Sequence, residues 1–353
     1  MKRTAGDKWI MIVTYVDDIF GTSNDPSLIS AFEEEFSKIF EYSSLGPIHK
    51  LLGNWVVRTH DGGVLVSCEP AIKELCKKWG ILPGQFTPPR TPGAEGVKLS
   101  PAGPGEDILS SEQITDYQAL IGSLLFLSVS CRGDISQMVH ELGRFVQKPT
   151  AAHWAAAIRI LKYLAGTMDY GLYYEGGKNS AGSTTAIKLQ LSVYSDASWA
   201  NSSDRKSTSG MIIQLAYNGD QPFGHTLSYY SRRQGCVALS STEAEYIAVS
   251  SATQTVSWIR RLLSELGFLD VNVPTCIFED NQAAISIGEQ EGLSQRTKPI
   301  DVRHHYIRDK IADGTVYLEF IPTEDMLADF FTKSLDGSRF EYLRGQFMAR
   351  VSH

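Results

Sequence analysis

The chain has 353 residues and a formal net charge of −7 at pH 7. This length suffices for two or three compact units, and no stretch approaches the roughly 20 apolar residues of a membrane span. The N-terminal MKRTAGDKW lacks the apolar segment of a secretory signal. We therefore expect no membrane partner and a cytoplasmic or nuclear protein, with an organellar address left open.

The first element in the chain is a predicted hairpin. The segment WIMIVTYVDDIFGTS is an apolar run interrupted by Tyr15-Val16-Asp17-Asp18, with strand-like sequence on both sides. A polymerase palm uses adjacent aspartates at the tip of such a hairpin to hold magnesium against the incoming triphosphate. Asp17 and Asp18 are therefore interpreted as metal ligands of a polymerase remnant. The alternative is an ordinary turn, in which adjacent aspartates are also common.

Composition divides the next part of the chain. We expect residues 1–88 to hold this hairpin and an amphipathic part, and the Pro/Gly-rich residues 89–111 to form a linker or extended strap. Residues 112–178 are predicted to be a helical region. GGKNSAGSTT is a second flexible link, and a further domain is expected over residues 186–353.

Hydrophobic periodicity gives the element order of this last domain. Three strand-like runs, KLQLSVYSDASW, GMIIQLAY and HTLSYYSRR, predict an antiparallel meander. Ser240, Ser241 and Thr242 offer N-cap hydroxyls for a long amphipathic helix that Gly267 ends. The strand TCIFED, a helix from Asn281, the segment DVRHHYIRDKIADG, the strand VYLEFIP and a helix from about Thr323 follow. The order β-β-β-α-β-α-β-α predicts an α/β fold with a mixed five-stranded sheet and helices packed on it.

Four acidic residues lie on different predicted elements of this domain. They are Asp196, Glu245, Asp280 and Asp329. Two divalent cations about 3.5–4 Å apart can clamp a scissile phosphate, and hard cations prefer carboxylate oxygens. The alternative is that these acids are ordinary strand-end and N-cap residues. As a set, they predict a centre for two Mg²⁺ or Mn²⁺ ions.

Five motifs in one order carry a family resemblance. SDASWA, DRKSTSG, SSTEAEY, EDNQAAI and LADFFTK resemble the ribonuclease H domain of copia-type LTR retrotransposons. The resemblance implies a ribonuclease H-like fold, with Glu245 rather than Glu243 as a metal ligand because Glu245-Tyr246-Ile247-Ala248 fits the family's motif. YVDD and the segments after it are similar to the palm, thumb and connection of copia-type reverse transcriptases, so the resemblance covers nearly the whole chain. It implies a partial palm with a thumb-like part over residues 1–88 and a helical connection region over residues 112–178.

The chain departs from that family in one way that bears on function. A working polymerase needs a third palm aspartate upstream of YVDD and fingers that bind template, and the residues before Asp17 leave no room for either. We therefore expect no autonomous polymerase activity. On this expectation the chain is either a fragment of a longer polyprotein or a truncated reading frame with another use.

The charge distribution bears on nucleic-acid binding. A net charge of −7 is unfavourable for binding nucleic acid, because neutralisation of the phosphates by basic side chains provides most of the nonspecific affinity. Bound cations would offset part of this charge. Three basic groups are candidate phosphate contacts or else solvated surface: Arg205 with Lys206, Arg232 with Arg233, and Arg296 with Lys298. The five cysteines lack metal-site spacing, and we expect reduced thiols.

Three functions from different classes are compatible with the sequence. The first is a metal-dependent ribonuclease that cuts RNA in RNA–DNA hybrids, as a retrotransposon-derived fragment. The second is the C-terminal part of a full reverse transcriptase. The third is a domesticated, non-catalytic scaffold subunit of a larger assembly. The expected partners are an RNA–DNA hybrid and an upstream polyprotein region or other protein subunits.

Overall fold

The structure, a computed structural model, describes most of the chain in two compact units. It covers residues 8–82, 84–94, 96–97, 99–176, 189–200, 204–217, 225–289 and 301–350, together with the backbone strand Lys2–Arg3. For residues 216–217 and 301–305 only the backbone is described. The units are Met1–Leu52 and Gly53–His353.

The first unit is built on the predicted hairpin. Its elements are β1 (Lys2–Arg3), β2 (Trp9–Tyr15), β3 (Asp18–Ser23), α1 (Pro26–Ser37) and β4 (Lys50–Leu51). Strands β2 and β3 pair antiparallel with Tyr15 opposite Asp18, so Val16 and Asp17 form a two-residue turn. Val16 has φ +52°, a left-handed conformation that a β-branched residue rarely adopts. Both Asp17 and Asp18 are exposed at this turn.

The second unit contains the remaining elements. In chain order they are β5 (Asn54–Arg58), β6 (Val64–Ser67), α2 (Glu69–Lys78), α3 (Ser111–Ser130), α4 (Ser136–Leu142), α5 (Ala151–Ala165), β7 (Tyr170–Tyr174), β8 (Leu189–Ser198), β9 (Thr208–Tyr217), β10 (His225–Arg233), α6 (Ser241–Glu265), β11 (Thr275–Glu279), α7 (Gln282–Glu289), α8 (Asp301–Ala312), β12 (Val316–Phe320), α9 (Gly337–Gly345) and β13 (Ala349–Arg350). None of the helices in the described part of the chain combines the length and hydropathy that a bilayer-crossing segment needs.

One sheet of this unit is the predicted mixed five-stranded sheet. Its strand order is β10-β9-β8-β11-β12. The first three strands pair antiparallel, whereas β11 is parallel to both β8 and β12. Because β11 is parallel to β8, the carboxyl ends of these two strands lie at the same end of the sheet. This arrangement confirms the fold class predicted from the element order.

Helix α6 covers one face of the five-stranded sheet. The Ser240 hydroxyl accepts a hydrogen bond from the backbone N–H of Glu243, which caps the helix as expected for an N-cap serine. Tyr246 and Val249 of α6 share a core with Val193 and Ile277 of the central strands. Gly267, at φ +78°, stands just after the helix in the left-handed conformation typical of helix ends.

The opposite face of the same sheet packs against the helical region. Tyr194 and Phe278 stack on this face with ring centroids 4.9 Å apart. Tyr194 belongs to the same buried core as Leu120 and Leu161 of helices α3 and α5. Residues far apart in sequence therefore share one core, which element periodicity alone does not predict.

A second sheet joins distant parts of this unit. Strands β5, β6, β7 and β13 lie side by side and antiparallel, in the order β13-β7-β6-β5. The sequence predicts helical structure up to residue 178, but Tyr170–Tyr174 is a strand. The run YGLYY is aromatic-rich and gains backbone partners from β6, which favours the strand.

A buried ion pair ties the helical region to the C-terminal helix. Arg132 and Asp134 are buried and paired at 2.7 Å. The Tyr163 hydroxyl donates to Asp134 at 2.6 Å, and Arg344 of α9 donates to the Tyr163 oxygen at 2.9 Å. The Pro/Gly-rich stretch is also tied to α9 at the surface, because Arg90 forms an ion pair with Glu341 of that helix. This part of the stretch is therefore a strap.

Two further expectations about local structure are wrong. The sequence predicts a helix from about Thr323, but the chain forms two short 3-10 turns, Thr323–Asp325 and Leu327–Phe331. Met326 between them is extended, which interrupts a regular helix. The second concerns the thiols: Cys68 and Cys131 are paired in a disulfide. Their pairing across 63 residues depends on tertiary packing and not on local spacing.

Candidate metal centre and nucleic-acid interface

Three of the predicted acids meet at one end of the five-stranded sheet. Asp196 lies near the end of β8, where it pairs with Gly210 of β9. Asp280 directly follows β11, and Glu245 lies in the first turns of α6. The sequence places each acid at an element end, and the parallel pairing of β8 and β11 brings those ends together.

The three carboxylates lie close enough to share a cation. One oxygen from each of Asp196, Glu245 and Asp280 lies within 4.8 Å of the others. Asp196 and Glu245 are buried, whereas Asp280 is half-buried and accepts a hydrogen bond from the Thr323 hydroxyl at 2.7 Å. The buried Oε2 of Glu245 has no hydrogen-bond partner among the described residues. An oxygen-only donor set with a buried unpartnered oxygen fits Mg²⁺ or Mn²⁺.

The fourth acid joins this group through a lysine. Asp329 is buried in the turn Leu327–Phe331, where its two oxygens accept from Lys333 and Arg339 at 2.5 Å each. Lys333 also donates to Asp196 at 3.2 Å, and the Thr332 hydroxyl donates to the other oxygen of Asp196. Asp329 is therefore next to the group of three acids, and the positive charges of Lys333 and Arg339 offset its negative charge.

Burial and crowding set the electrostatics of the centre. Burial, followed by repulsion from Glu279 and Asp196, raises the pKa of Glu245 far above its ordinary value. Burial and the Asp196 carboxylate raise the pKa of Asp329 to about 7, against the lowering effect of Lys333 and Arg339. Burial alone would lower the pKa of Lys333, but Asp196 and Asp329 outweigh it and raise that pKa. Crowded acids of this kind gain from a bound cation.

Two residues of this region are absent from the sequence-based set. Glu279 is fully buried beside Asp280, and burial followed by repulsion from Asp196 raises its pKa well above the ordinary value. Lys333 bridges Asp196 and Asp329. The signal for Lys333 was its position four residues after Asp329 in LADFFTK. The signal for Glu279 was its place two residues after the apolar Ile277, on the same strand face.

The described basic residues lie at the same end of the sheet. Arg205 and Lys206 precede β9, and Arg232 and Arg233 end β10. Arg205, Arg232 and Arg233 are exposed, and the Arg232 guanidinium lies 4.7 Å from the centre of the Tyr230 ring. Lys206 donates to the Gly235 carbonyl at 2.8 Å, and Arg233 forms an ion pair with Asp204. Arg296 and Lys298 lie outside the described residues.

The hairpin acids form no comparable centre. Asp17 and Asp18 are exposed in the first unit. In the part of the chain that the structure describes, the one group of three or more potential metal ligands that lie close together is Asp196 with Glu245 and Asp280. The polymerase-remnant pair therefore has no third ligand beside it among those residues.

The strand order and the acids at the strand ends define a ribonuclease H-like α/β protein. No protein-family model matches the chain. The chain is 33% identical over 340 residues to the retrovirus-related Pol polyprotein from transposon RE1 of Arabidopsis thaliana, an alignment that covers 95% of the chain and 21% of that protein. It is 32% identical over 344 residues to the Pol polyprotein from transposon TNT 1-94 of Nicotiana tabacum, covering 96% of the chain and 24% of that protein.

A shorter relative is covered over most of its length. The transposon Ty5-1 protein of Saccharomyces cerevisiae is 30% identical over 260 residues, which cover 72% of the chain and 76% of that protein. The chain belongs to the family of retrovirus-related Pol polyproteins from copia-type transposons, which confirms the resemblance seen in its motifs. It spans about a fifth of the length of the RE1 polyprotein, 21%.

Similar solved structures include ribonucleases H and a reverse transcriptase. Ribonuclease H1 from Halobacterium salinarum has 13% identity and a TM-score of 0.28, covering 39% of this chain and 90% of that one. The foamy viral protease-reverse transcriptase in complex with RNA/DNA hybrid has 16% identity and a TM-score of 0.42, covering 88% of this chain and 36% of that one. With identities of 13% and 16%, these structures are distant, and the fold assignment rests on the strand order of this chain.

Proposed function

We propose that the chain is a metal-dependent ribonuclease that cuts the RNA strand of RNA–DNA hybrids by hydrolysis. The observation that carries the proposal is the meeting of Asp196, Glu245 and Asp280 within 4.8 Å at the end of the sheet. Membership of the Pol polyprotein family supports a role in copying or processing a retrotransposon's nucleic acid. A set of surface acids with no common function would not require the burial of Asp196 and Glu245.

The four predicted acids would hold the metal in this proposal. Asp196, held in place by Thr332 and Lys333, would bind two Mg²⁺ or Mn²⁺ ions together with Glu245 and Asp280. Asp329, oriented by Lys333 and Arg339, would be the fourth ligand beside them. When bound, such a metal pair lowers the pKa of the attacking water and stabilises the leaving 3′-oxygen.

The basic residues at this end of the sheet are the proposed contacts to the substrate. Arg205, Lys206, Arg232 and Arg233 border the acids, and we include Arg296 and Lys298 as a sequence-based prediction. Adjacent strands lie about 4.8 Å apart, so β10 lies two spacings, about 10 Å, from β8, which is within reach of neighbouring phosphates. Recognition would rest on hybrid shape and 2′-hydroxyl groups, not on base sequence.

Polymerase activity is not part of the proposal for this chain. Asp17 and Asp18 are two exposed acids with no third ligand beside them in the described residues. We propose that this unit works with further protein, either an upstream polyprotein region or another subunit. Large apolar side chains exposed on the unit, including Tyr15, Val16 and Leu45, support such a partner. The domain boundaries given by composition stay predictions.

The test is cleavage by the whole chain on a panel of substrates. An RNA strand should be cut in a hybrid with DNA, in Mn²⁺ at low salt, while single-stranded RNA and duplex DNA stay intact. Asp196→Asn and Glu245→Gln should each remove nearly all cleavage, because the carboxylates of both residues hold metal. A folded wild-type protein that leaves the hybrid intact would contradict the proposal and favour a scaffold.

A further inference from the structure

Glu279 and Ser195 are buried polar residues near the three acids, on the face of the sheet that α6 covers. Ile277 packs on this face against Tyr246 and Val249 of α6. Side chains alternate along a strand, so Glu279, two residues later, points to the same face. The parallel pairing of Phe278 with Tyr194 places Glu279 level with Ser195 on the neighbouring strand. Ser195 follows Val193 on that face, so it also points towards α6.

Three buried oxygens of this region have no hydrogen-bond partner among the described residues. They are Oε2 of Glu279, Oε2 of Glu245 and Oγ of Ser195. Glu279 and Ser195 are both 0% exposed. The other oxygen of Glu279 accepts from the Asn281 backbone N–H at 3.1 Å, which fixes the carboxyl group at the end of β11. Buried oxygens are normally satisfied, so three together indicate a missing partner.

The charges nearby indicate that the partner is a cation. Five carboxyl groups belong to this region: those of Asp196, Glu245, Glu279, Asp280 and Asp329. Within the described part of the chain, two basic side chains contact them, Lys333 and Arg339, and both contact Asp329. Glu245 and Glu279 have no ion pair to either base. A divalent cation would satisfy the unpartnered oxygens and offset the repulsion between these acids at once.

We propose that Glu279 is a further metal-binding carboxylate of this centre, with its Oε2 directed to a divalent cation that Glu245 also binds. This inference rests on the proposed function for the identity of the cation, but not on cleavage itself. Glu279 then adds a carboxylate beside the group of Asp196, Glu245 and Asp280, and the Ser195 hydroxyl lies on the same face of the sheet as Glu279. Neither Glu279 nor Ser195 is among the site residues predicted from the sequence.

Binding of Mn²⁺ without nucleic acid tests the proposal directly. Calorimetric titration of the whole chain should give a Kd for Mn²⁺ at least about tenfold weaker in Glu279→Gln than in wild type, the loss common for a carboxylate that supports a metal site. Glu279→Asp keeps the charge but withdraws the oxygen, so it should also weaken binding if the contact is direct. Glu319→Gln removes an exposed acid of the neighbouring strand β12 and should leave the Kd unchanged.

The outcomes separate this inference from the proposed function. Equal Mn²⁺ affinity in wild type and Glu279→Gln, both with the same melting temperature in EDTA, would overturn the role of Glu279. Wild-type affinity in Glu279→Asp together with weakened Glu279→Gln would overturn direct ligation and leave only a charge effect. A wild type that binds Mn²⁺ through Glu279 but cuts no hybrid would refute the ribonuclease proposal and support the metal site. A wild type that binds no Mn²⁺ would refute both.

Discussion

Gly210 controls how closely the Asp329 turn approaches the sheet. It lies in β9 directly opposite Asp196. A Cβ at this position would lie 2.8 Å from the Ala328 carbonyl oxygen, 2.9 Å from Cβ of Phe331 and 2.7 Å from Cγ2 of Thr332. The first two are backbone or near-backbone atoms that cannot rotate away. Gly210→Ala should therefore push the turn Leu327–Phe331 away from β9.

The size of the effect follows from these distances. Opening the 2.8 Å contact to the 3.4 Å of ordinary packing requires a shift of about 0.6 Å. Overpacking of this kind costs about 1–3 kcal/mol, and the rigid neighbours place Gly210→Ala near the upper end. At about 2–4 °C per kcal/mol, the melting temperature should fall by roughly 6–12 °C. Because misplacing a catalytic group by about 1 Å can cost about 10²-fold, hybrid cleavage should fall about tenfold.

Urea unfolding and hybrid cleavage at a temperature where both proteins are folded check this prediction. Gly122→Ala is the matched control, because Gly122 is exposed within α3 and a Cβ there meets no atom within 4 Å. It should stabilise the protein by about 0.5–1 kcal/mol and leave cleavage unchanged. A Gly210→Ala variant as stable and active as wild type would show that the turn does not hold Asp329 and Lys333 in place.

Three further predictions concern the metal, the buried ion pair and the hairpin. Mg²⁺ at about 100 times its Kd should stabilise the wild type by about 2.7 kcal/mol, or roughly 5–10 °C in a melting experiment. Asp280→Asn should remove this gain. A wild-type melting temperature that does not change with Mg²⁺ concentration would count against an assembled site. Asp134→Ala leaves Arg132 buried without its partner and should cost about 3–5 kcal/mol in urea unfolding, whereas a loss below about 1 kcal/mol would mean that the pair is solvated. Asp17→Ala and Asp18→Ala should leave hybrid cleavage unchanged, and neither they nor the wild type should extend a primer; incorporation of nucleotides by the purified chain would refute this.

The sequence predicts the five-stranded sheet well because its elements carry strong local signals. Strand β10 matches the predicted run HTLSYYSRR, and α6 begins directly after Ser240, one of the three predicted N-cap residues. Alternation and N-cap chemistry are local properties, so a single sequence shows them. The acids Asp196, Glu245 and Asp280 meet as expected because they lie at the ends of these well-defined elements.

Features that depend on long-range packing could not be predicted in the same way. The 3-10 turn around Asp329 packs closely on Gly210, which is more than 100 residues away in the chain. The Cys68–Cys131 disulfide and the core shared by α3, α5 and Tyr194 have the same long-range origin. Glu279 precedes Asp280, which fits the family motif, and strand alternation places Glu279 on the same buried face as Ile277.

The central claim is that a metal ion held by Asp196, Glu245 and Asp280 enables the cutting of RNA. Its most direct test is the rate of RNA cleavage in a hybrid, measured against Mn²⁺ concentration for wild type and Asp280→Asn at low salt. Asp280 is the half-buried member of the group, so its replacement should spare the fold. We expect the half-maximal Mn²⁺ concentration to rise at least about tenfold in the variant, as for loss of a metal-site carboxylate, or cleavage to disappear. An identical Mn²⁺ dependence in the two proteins would contradict the claim.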